Sequence, residues 1–465
     1  MNDNPNYKWK AMFVVSIGVF MATLDSSIIN ISLPTLTKYF STDITTIQWV
    51  ILSYLLTITA LLLTLGRISD IYGRKPVFIL GLLIFTFGSG LCSFSATAGQ
   101  LIAFRVVQGL GAAMIMANGP AIITQVFPHT ERGKALGLIG TVVSIGFMAG
   151  PALGGFLIDW IGWQSIFYIN IPIGLLGTVY ALKTLNPDEV HAEQKFDILG
   201  AVFMFISLTT LLLGITNSHG VGSLEFLGLI VIFIVFLLLF IIVENSAIQP
   251  MIELSLFRNR PFSASNVSGF LSFVAMSGVV LLIPFYLKDL LGYSDRHVGL
   301  VYMSIPLVMA LVAPLSGWMS DKTNSFKLSS AGMAITGLAL FLISNLGMDS
   351  SFFDIVIRLG LVGLGMGLFQ SPNNSIVMGA VPKNRLGIAG GMLAMVRNLG
   401  MVTGVAISGA IFTRSSYSLE IAGFARESAF LGGFHDALIV TAIICGIGVL
   451  TSLVRGEKIR SIDQN

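Results

Sequence analysis

The chain has 465 residues, of which 54% are hydrophobic and only 11% charged, with a mean hydropathy of +0.86. No water-soluble globular surface can be built from that mixture, so the composition excludes a soluble enzyme or binding module and places the chain in a bilayer. The formal charge of +3 sits mostly in loops and gives no support to a nucleic-acid partner.

Apolar runs able to cover a hydrocarbon core, which takes about 20 helical residues, recur near 11–33, 47–66, 77–96, 100–126, 135–157, 165–185, 198–216, 225–243, 263–290, 297–318, 328–346, 352–380, 387–412 and 435–454. The first span follows Lys8 and Lys10 and carries Asp25 in Leu24-Asp25-Ser26-Ser27-Ile28-Ile29-Asn30, which reads as a retained helix and not a removable signal peptide. An ionised carboxylate at that depth is costly, so Asp25 is expected to be neutralised by a proton, a cation or an arginine. Trp49 and Tyr54 of the second span, with Asn30, are candidate cavity residues, although Trp49 near a helix end equally suits an interfacial anchor.

The next loop, Gly66-Arg67-Ile68-Ser69-Asp70-Ile71-Tyr72-Gly73-Arg74-Lys75, must turn sharply, which suits Gly73. There Asp70 can cap a neighbouring helix, and Arg74 and Lys75 can meet acids or lipid headgroups, so Gly66, Asp70, Gly73 and Arg74 are expected to latch a gate. In the fourth span Arg105 lies at about the depth of Asp25, roughly 9–12 Å below the outer end. Gln108 shares its helix face and can hydrogen-bond either group or line the cavity, as can Asn118 further along. The fifth span contains Gly146-Phe147-Met148-Ala149-Gly150-Pro151-Ala152-Leu153-Gly154-Gly155, where glycines offer a bare face for close helix contact and Pro151 removes one backbone donor.

The runs near 198–216 and 225–243 lack any central charge and read as a lipid-facing spacer pair. Later spans supply Phe369, Gln370, Asn373 and Asn374 around Pro372, too polar for a lipid-facing surface, and Arg397 at mid-depth without an acid on its own helix. Arg358 has Asp354 one turn away and reads as a local structural pair. Gly317 and Asp321, with Asn324, echo Gly66, Asp70 and Gly73 at an offset of roughly 250, which suggests two related halves with two extra helices between them. Basic residues such as Lys8, Lys10, Arg67, Arg74, Lys75, Arg258 and Arg260 fall on one side, against Lys38, Lys288, Arg296, Arg414 and Arg426 on the other. That bias puts both termini in the cytoplasm of a multi-pass cell-membrane protein.

Cys92 and Cys445 lie within spans and make no disulfide framework. His129, His191, His219, His297 and His435 show no metal-ligand spacing, and no phosphate-binding loop is present, so neither an enzyme nor an ATP-driven pump is indicated, and no metal or cofactor is expected.

The helix-one segment through Pro34, the loop Gly66 to Lys75, Arg105-Val106-Val107-Gln108-Gly109 and Gly146 to Gly155 together resemble the motifs of a major facilitator superfamily transporter of the 14-helix drug:proton antiporter type, the QacA/EmrB group. The resemblance covers nearly the whole chain. It implies an all-α major facilitator fold: a six-helix bundle over 1–185, a linker with two extra helices over 186–262, and a second bundle over 263–465. It further implies export of small lipophilic, even cationic, compounds, with Asp25 exchanging a proton and Arg105 competing with that proton for the carboxylate. Gln164 stands where the family usually has Arg, and no extra acids sit at the centres of spans ten and thirteen, which argues against dicationic substrates. Expected partners are substrates, protons and membrane lipids, for a monomer; export of an endogenous lipid or metabolite, or a non-transporting receptor of the same fold, remain the alternatives.

Overall fold

The computed structural model describes residues 7–128, 131–186, 198–216, 223–246, 254–322, 325–382 and 386–453; His129, His191, His219 and Asn324 lie outside them. Among the described residues, fourteen helical segments are long and apolar enough to cross a membrane. The helices are α1 (Tyr7–Tyr39), α2 (Ile44–Ile47), α3 (Trp49–Tyr72), α4 (Arg74–Ser93), α5 (Ala98–Val126), α6 (Arg132–Trp160), α7 (Ser165–Tyr168), α8 (Asn170–Thr184), α9 (Ile198–Thr216) and α10 (Leu224–Ser246). They continue as α11 (Arg260–Phe285), α12 (Asp295–Tyr302), α13 (Ser304–Lys322), α14 (Ser325–Ser344), α15 (Phe352–Gly379), α16 (Leu386–Ile421) and α17 (Arg426–Leu453).

In hydrocarbon every backbone polar group must be satisfied within the chain, which is why the spans are helical. Their ends are marked by polar caps: the side chains of Thr97, Asn259 and Ser351 accept from the amides of Gln100, Phe262 and Asp354 at the starts of α5, α11 and α15. Gly73 joins α3 to α4 at φ 95°, a backbone conformation that a β-carbon disfavours. Two spans are broken near one end, α2 from α3 at Gln48 and α7 from α8 at Ile169, and α11 loosens into a π turn over Tyr286–Leu290.

We call the face where α1 begins the terminal face and the opposite one the far face. In the first half α1 packs on α5, α6 and α8, α3 on α5, and α4 on α5 and α8. In the second half α11 packs on α15, α16 and α17, and α14 on α15 and α17. The halves meet where α12 lies on α6, α16 on α3 and α1 on α11. The two central helices differ from each other. The most apolar stretch of α10 is only 6% buried, as a lipid-facing helix requires, whereas α9 touches both α3 and α16 and so lies across the seam between the halves. The expectation of a purely lipid-facing pair therefore needs correction for α9: hydropathy cannot tell an apolar face against lipid from one against another helix.

Burial separates the consequences of trimming leucines. Leu282→Ala, fully buried in α11, is expected to cost about 2–5 kcal/mol, whereas Leu238→Ala, 53% exposed on α10, changes stability by about 0.5 kcal/mol or less. Equilibrium unfolding of the two variants in mixed micelles measures the contrast.

Candidate functional site

Asp25 is 1% exposed and Arg105 is fully buried. Arg105 Nη1 donates to Asp25 Oδ2 at 2.5 Å, while Gln108 Nε2 and Asn170 Nδ2 donate to Asp25 Oδ1 at 2.8 and 2.9 Å. The guanidinium also donates from Nε to the Val50 carbonyl at 3.1 Å and from Nη1 to Gln108 Oε1 at 2.7 Å, and its Cζ lies 3.9 Å from the centre of the Tyr54 ring. Asn170 in turn donates to Ser89 Oγ at 3.1 Å, and Cys92 Sγ approaches Gln108 Oε1 at 3.6 Å. Five spans thus meet around one carboxylate. The depth match between Asp25 and Arg105 is a direct contact, and Gln108 bridges both.

Asn170 is the partner that sequence reasoning missed. It is the only asparagine between Ser165 and Leu185, in Tyr168-Ile169-Asn170-Ile171-Pro172, and a lone amide inside an apolar span was the available signal. The break between α7 and α8 just before it sets the direction of its side chain.

The far side of α1 from Asp25 faces α6. At 100° per residue Ser27 is turned by 200° from Asp25, and its hydroxyl donates to the Gly146 carbonyl at 3.2 Å. Gly146, Gly150 and Gly154 form the bare stripe against Thr23, Ser27 and Ile28 of α1. A second stripe on α6 meets the other half: a β-carbon at Gly155 would stand 2.5 Å from the Asp295 carbonyl, and one at Gly299 2.5 Å from the Pro151 carbonyl. Polar contacts between the halves gather at this far face. Thr35 Oγ1 accepts from Lys288 Nζ at 2.5 Å and donates to Asp295 Oδ1 at 2.9 Å, Lys38 pairs with Asp289 at 2.7 Å, and the Arg296 amide donates to Asp159 Oδ2 at 3.1 Å.

On the terminal face Arg74 Nη2 pairs with Asp70 Oδ1 at 3.1 Å and its Nη1 donates to the Ala121 carbonyl at 3.0 Å, and Lys75 donates to the Leu185 carbonyl. Asp70 was expected to cap a helix. It pairs with Arg74 one turn on, and α4 begins at Gly73 without a side-chain cap. Gly66 lies one turn before Asp70 on α3, and its carbonyl accepts from Ser69 Oγ at 2.6 Å.

Two adjoining cavities, of about 150 and 190 Å³, lie between the halves. The deeper one is lined by Asn30, Phe147, Pro151, Tyr302, Gln370 and Arg397 among others. The other, nearer the terminal face, is lined by Phe369, Gln370, Asn373, Asn374 and Arg397, and Val143, Phe273, Gln370 and Arg397 are common to both. No acid appears in either lining. Trp49, Tyr54, Gln108 and Asn118, expected along a cavity, line neither. Tyr54 and Gln108 point into the first bundle toward Arg105, Asn118 donates to the Met114 carbonyl at 2.7 Å, and Trp49 is half-buried at the far-face start of α3. Aromatic and polar character inside the spans points to a cavity position for all four, but rotation about the helix axis decides what a side chain faces. Asp25 itself lines neither cavity, being closed into its network. Arg358 is held by Asp354 at 2.8 Å, a local pair.

Among the described residues, fourteen apolar helices enclose cavities between two bundles, the architecture of a multi-pass membrane protein. The sequence pattern of the Major Facilitator Superfamily matches residues 15–405. The riboflavin transporter RibZ of Clostridioides difficile (strain 630) is 38% identical over 448 residues, 96% of this chain and 97% of that one. Multidrug resistance protein Stp of Mycobacterium tuberculosis (strain CDC 1551 / Oshkosh) is 29% identical, covering 86% of this chain and 75% of its own. The crystal structure of a bacterial homolog of the human lysosomal transporter Spinster, inward-facing and unoccupied, shares the fold with a TM-score of 0.69 at 16% identity, over 98% of both chains. The chain belongs to the Major Facilitator Superfamily.

Removing one partner of a buried pair leaves a charge uncompensated, at about 3–5 kcal/mol. Asp25→Asn is therefore expected to lower the thermal stability of the purified protein more than the double variant Asp25→Asn/Arg105→Gln, which leaves no charge behind; melting curves of the three proteins give the comparison.

Proposed function

We propose that this protein is a proton-coupled antiporter that exports lipophilic compounds from the cell by alternating access, as a monomer with both termini cytoplasmic. The moving bodies are residues 1–185 and 263–465, joined by the linker 186–262. The observation that carries this reading is that one helix, α1, holds Asp25 on one face, lines the cavity with Asn30, and contributes Thr35 to the far-face contacts.

Protonation of Asp25 would remove the charge that Arg105 is paired with, and the stranded cation would cost about 3–5 kcal/mol in this arrangement. Relief comes from moving α1 and α5 until Arg105 finds other partners or water. Because α1 is one rigid element, that motion is delivered to its contacts with α6 and to the far-face seal. The bare stripes of α6 permit a tight closed state, and the opposite state requires parting α6 from α12. In this role Gly66, Asp70, Gly73 and Arg74 latch the terminal face when it closes. One proton moving down about 150 mV supplies about 3.5 kcal/mol, enough for a few-hundredfold gradient of a neutral substrate.

The apolar linings, together with relatives named for multidrug resistance, support a lipophilic cargo. A second reading, transport of a flat metabolite such as riboflavin, is favoured by the 38% identity to RibZ over almost the whole chain.

Both readings are tested in proteoliposomes holding a pH-sensitive dye. Riboflavin, a neutral lipophilic dye and a cationic dye are added in turn, and at least one is expected to drive proton movement that Asp25→Asn abolishes. Undiminished proton movement in Asp25→Asn rejects the coupling role, and none in the native protein with any compound rejects antiport of these classes. The far-face seal has its own test. Gly155→Leu overpacks the α6–α12 contact by about 1–3 kcal/mol, which shifts the closed-to-open ratio by about 5- to 150-fold. A cysteine at Ser277 in the cavity, in a chain lacking Cys92 and Cys445, should then react faster with an impermeant maleimide supplied from the far face; an unchanged rate removes α6 from the gate.

A further inference from the structure

The arginines within the spans are not treated alike. Arg105 has Asp25, Gln108 and the Val50 carbonyl, and Arg358 has Asp354 and the Leu342 carbonyl. Arg397 has neither an ion pair nor a hydrogen bond among the described residues, and its Nε is buried without a partner. It stands where the two cavities adjoin, and neither lining contains an Asp or Glu to neutralise it.

A guanidinium stays charged at any working pH, so it cannot escape its burial by losing a proton. Arg397 is half-buried, with Nε enclosed, so water can reach the rest of the guanidinium, but beside a mostly apolar lining that holds no acid an anion satisfies it better than water does. Other unsatisfied groups share the deeper lining: the Tyr302 hydroxyl, which can donate, and Asn30 Oδ1, which can accept from a polar edge. Around them stand Phe147, Phe273, Met276 and Met309, which offer faces and soft edges to an apolar ring system. A cation here would meet an unscreened like charge.

We propose that Arg397 is the recognition point for the anionic group of an organic anion with a flat apolar body, and that the cavity selects against cations. The inference rests on the reading of this cavity as the substrate path, and it replaces cationic lipophiles by anionic ones as the preferred cargo. The anionic group is a carboxylate, a phosphate ester or an ionised ring N–H or hydroxyl. Arg397 engages it through paired N–H donors and Tyr302 adds a further donor, while the ring system fills the apolar walls.

The test uses three probes with one apolar body and different charge: 1-pyrenebutyrate, 1-pyrenebutanol and 4-(1-pyrenyl)butyl-trimethylammonium. Fluorescence anisotropy measures their binding to the protein in nanodiscs of zwitterionic lipid, with empty nanodiscs as the control. The native protein is expected to bind the anion about 10- to 100-fold more tightly than the alcohol, and the cation most weakly. Arg397→Gln should remove that advantage and leave the alcohol within about threefold, and Arg397→Lys should restore part of it by keeping a cation without the planar fork. Equal loss for all three probes in Arg397→Gln, or a native preference for the cation, overturns the proposal; if the variant fails to fold, the native ranking alone decides. Because binding requires neither protons nor turnover, failure of the antiport assay leaves this result standing, and failure here leaves antiport of neutral compounds standing.

Discussion

A carboxylate and a guanidinium buried together in a dry bundle form the constraint on which the rest of this structure depends. Neither group tolerates burial alone, and their mutual attraction offsets the loss of water with the help of Gln108, Asn170 and the Val50 carbonyl, although Arg105 Nη2 and Asn170 Oδ1 stay without a hydrogen-bond partner. Such a pair is weak as a source of stability. In the proposed mechanism it serves as a device, since altering the charge on one partner would change the preferred position of the helices that carry both. The network draws α1, α3, α5 and α8 to one point, with Ser89 and Cys92 of α4 around its edge.

The same helix serves the seam between the halves. With lipid on the outside there is little hydrophobic drive to join helices, so the contacts rely on close approach and on polar pairing. The bare stripes of α6 provide the first, meeting α1 along Gly146, Gly150 and Gly154 and α12 along Pro151 and Gly155. The far-face cluster of Lys288, Asp295 and Thr35 provides the second. A seam of backbone fitted to backbone has few stable positions, which suits an element that must be either closed or parted.

Between the halves the chemistry is asymmetric. The first half holds its charges in a closed network, while the second presents Arg397 bare to the cavity. In the proposed mechanism, charge in the first half would respond to protons and charge in the second would meet a ligand. That separation would leave protons and cargo to different side chains, one group closed inside the first bundle and the other on the cavity wall.

How much of this was legible beforehand follows from what each signal measures. Fourteen spans, their alternation across the bilayer and the unusual status of Asp25, Arg105 and Arg397 were written in the sequence, because bilayer thickness and the cost of buried charge act on any chain in the same way. The glycine run on α6 and the turn at Gly73 were readable for a similarly local reason. What the sequence could not say was which way each side chain faces: these helices are apolar on every side, so no periodicity marks one face as the cavity. Tyr54, Gln108 and Asn118 therefore lay at suitable depths yet turned away from it, and Asn170 passed unnoticed because its direction depends on the break between α7 and α8. The placement of α9 across the seam was hidden likewise. Local chemistry determined the elements and their depths; only tertiary packing, through helix rotation and the pairing of groups tens of residues apart, decided which acid met which base and which arginine faced the cavity without an acid beside it.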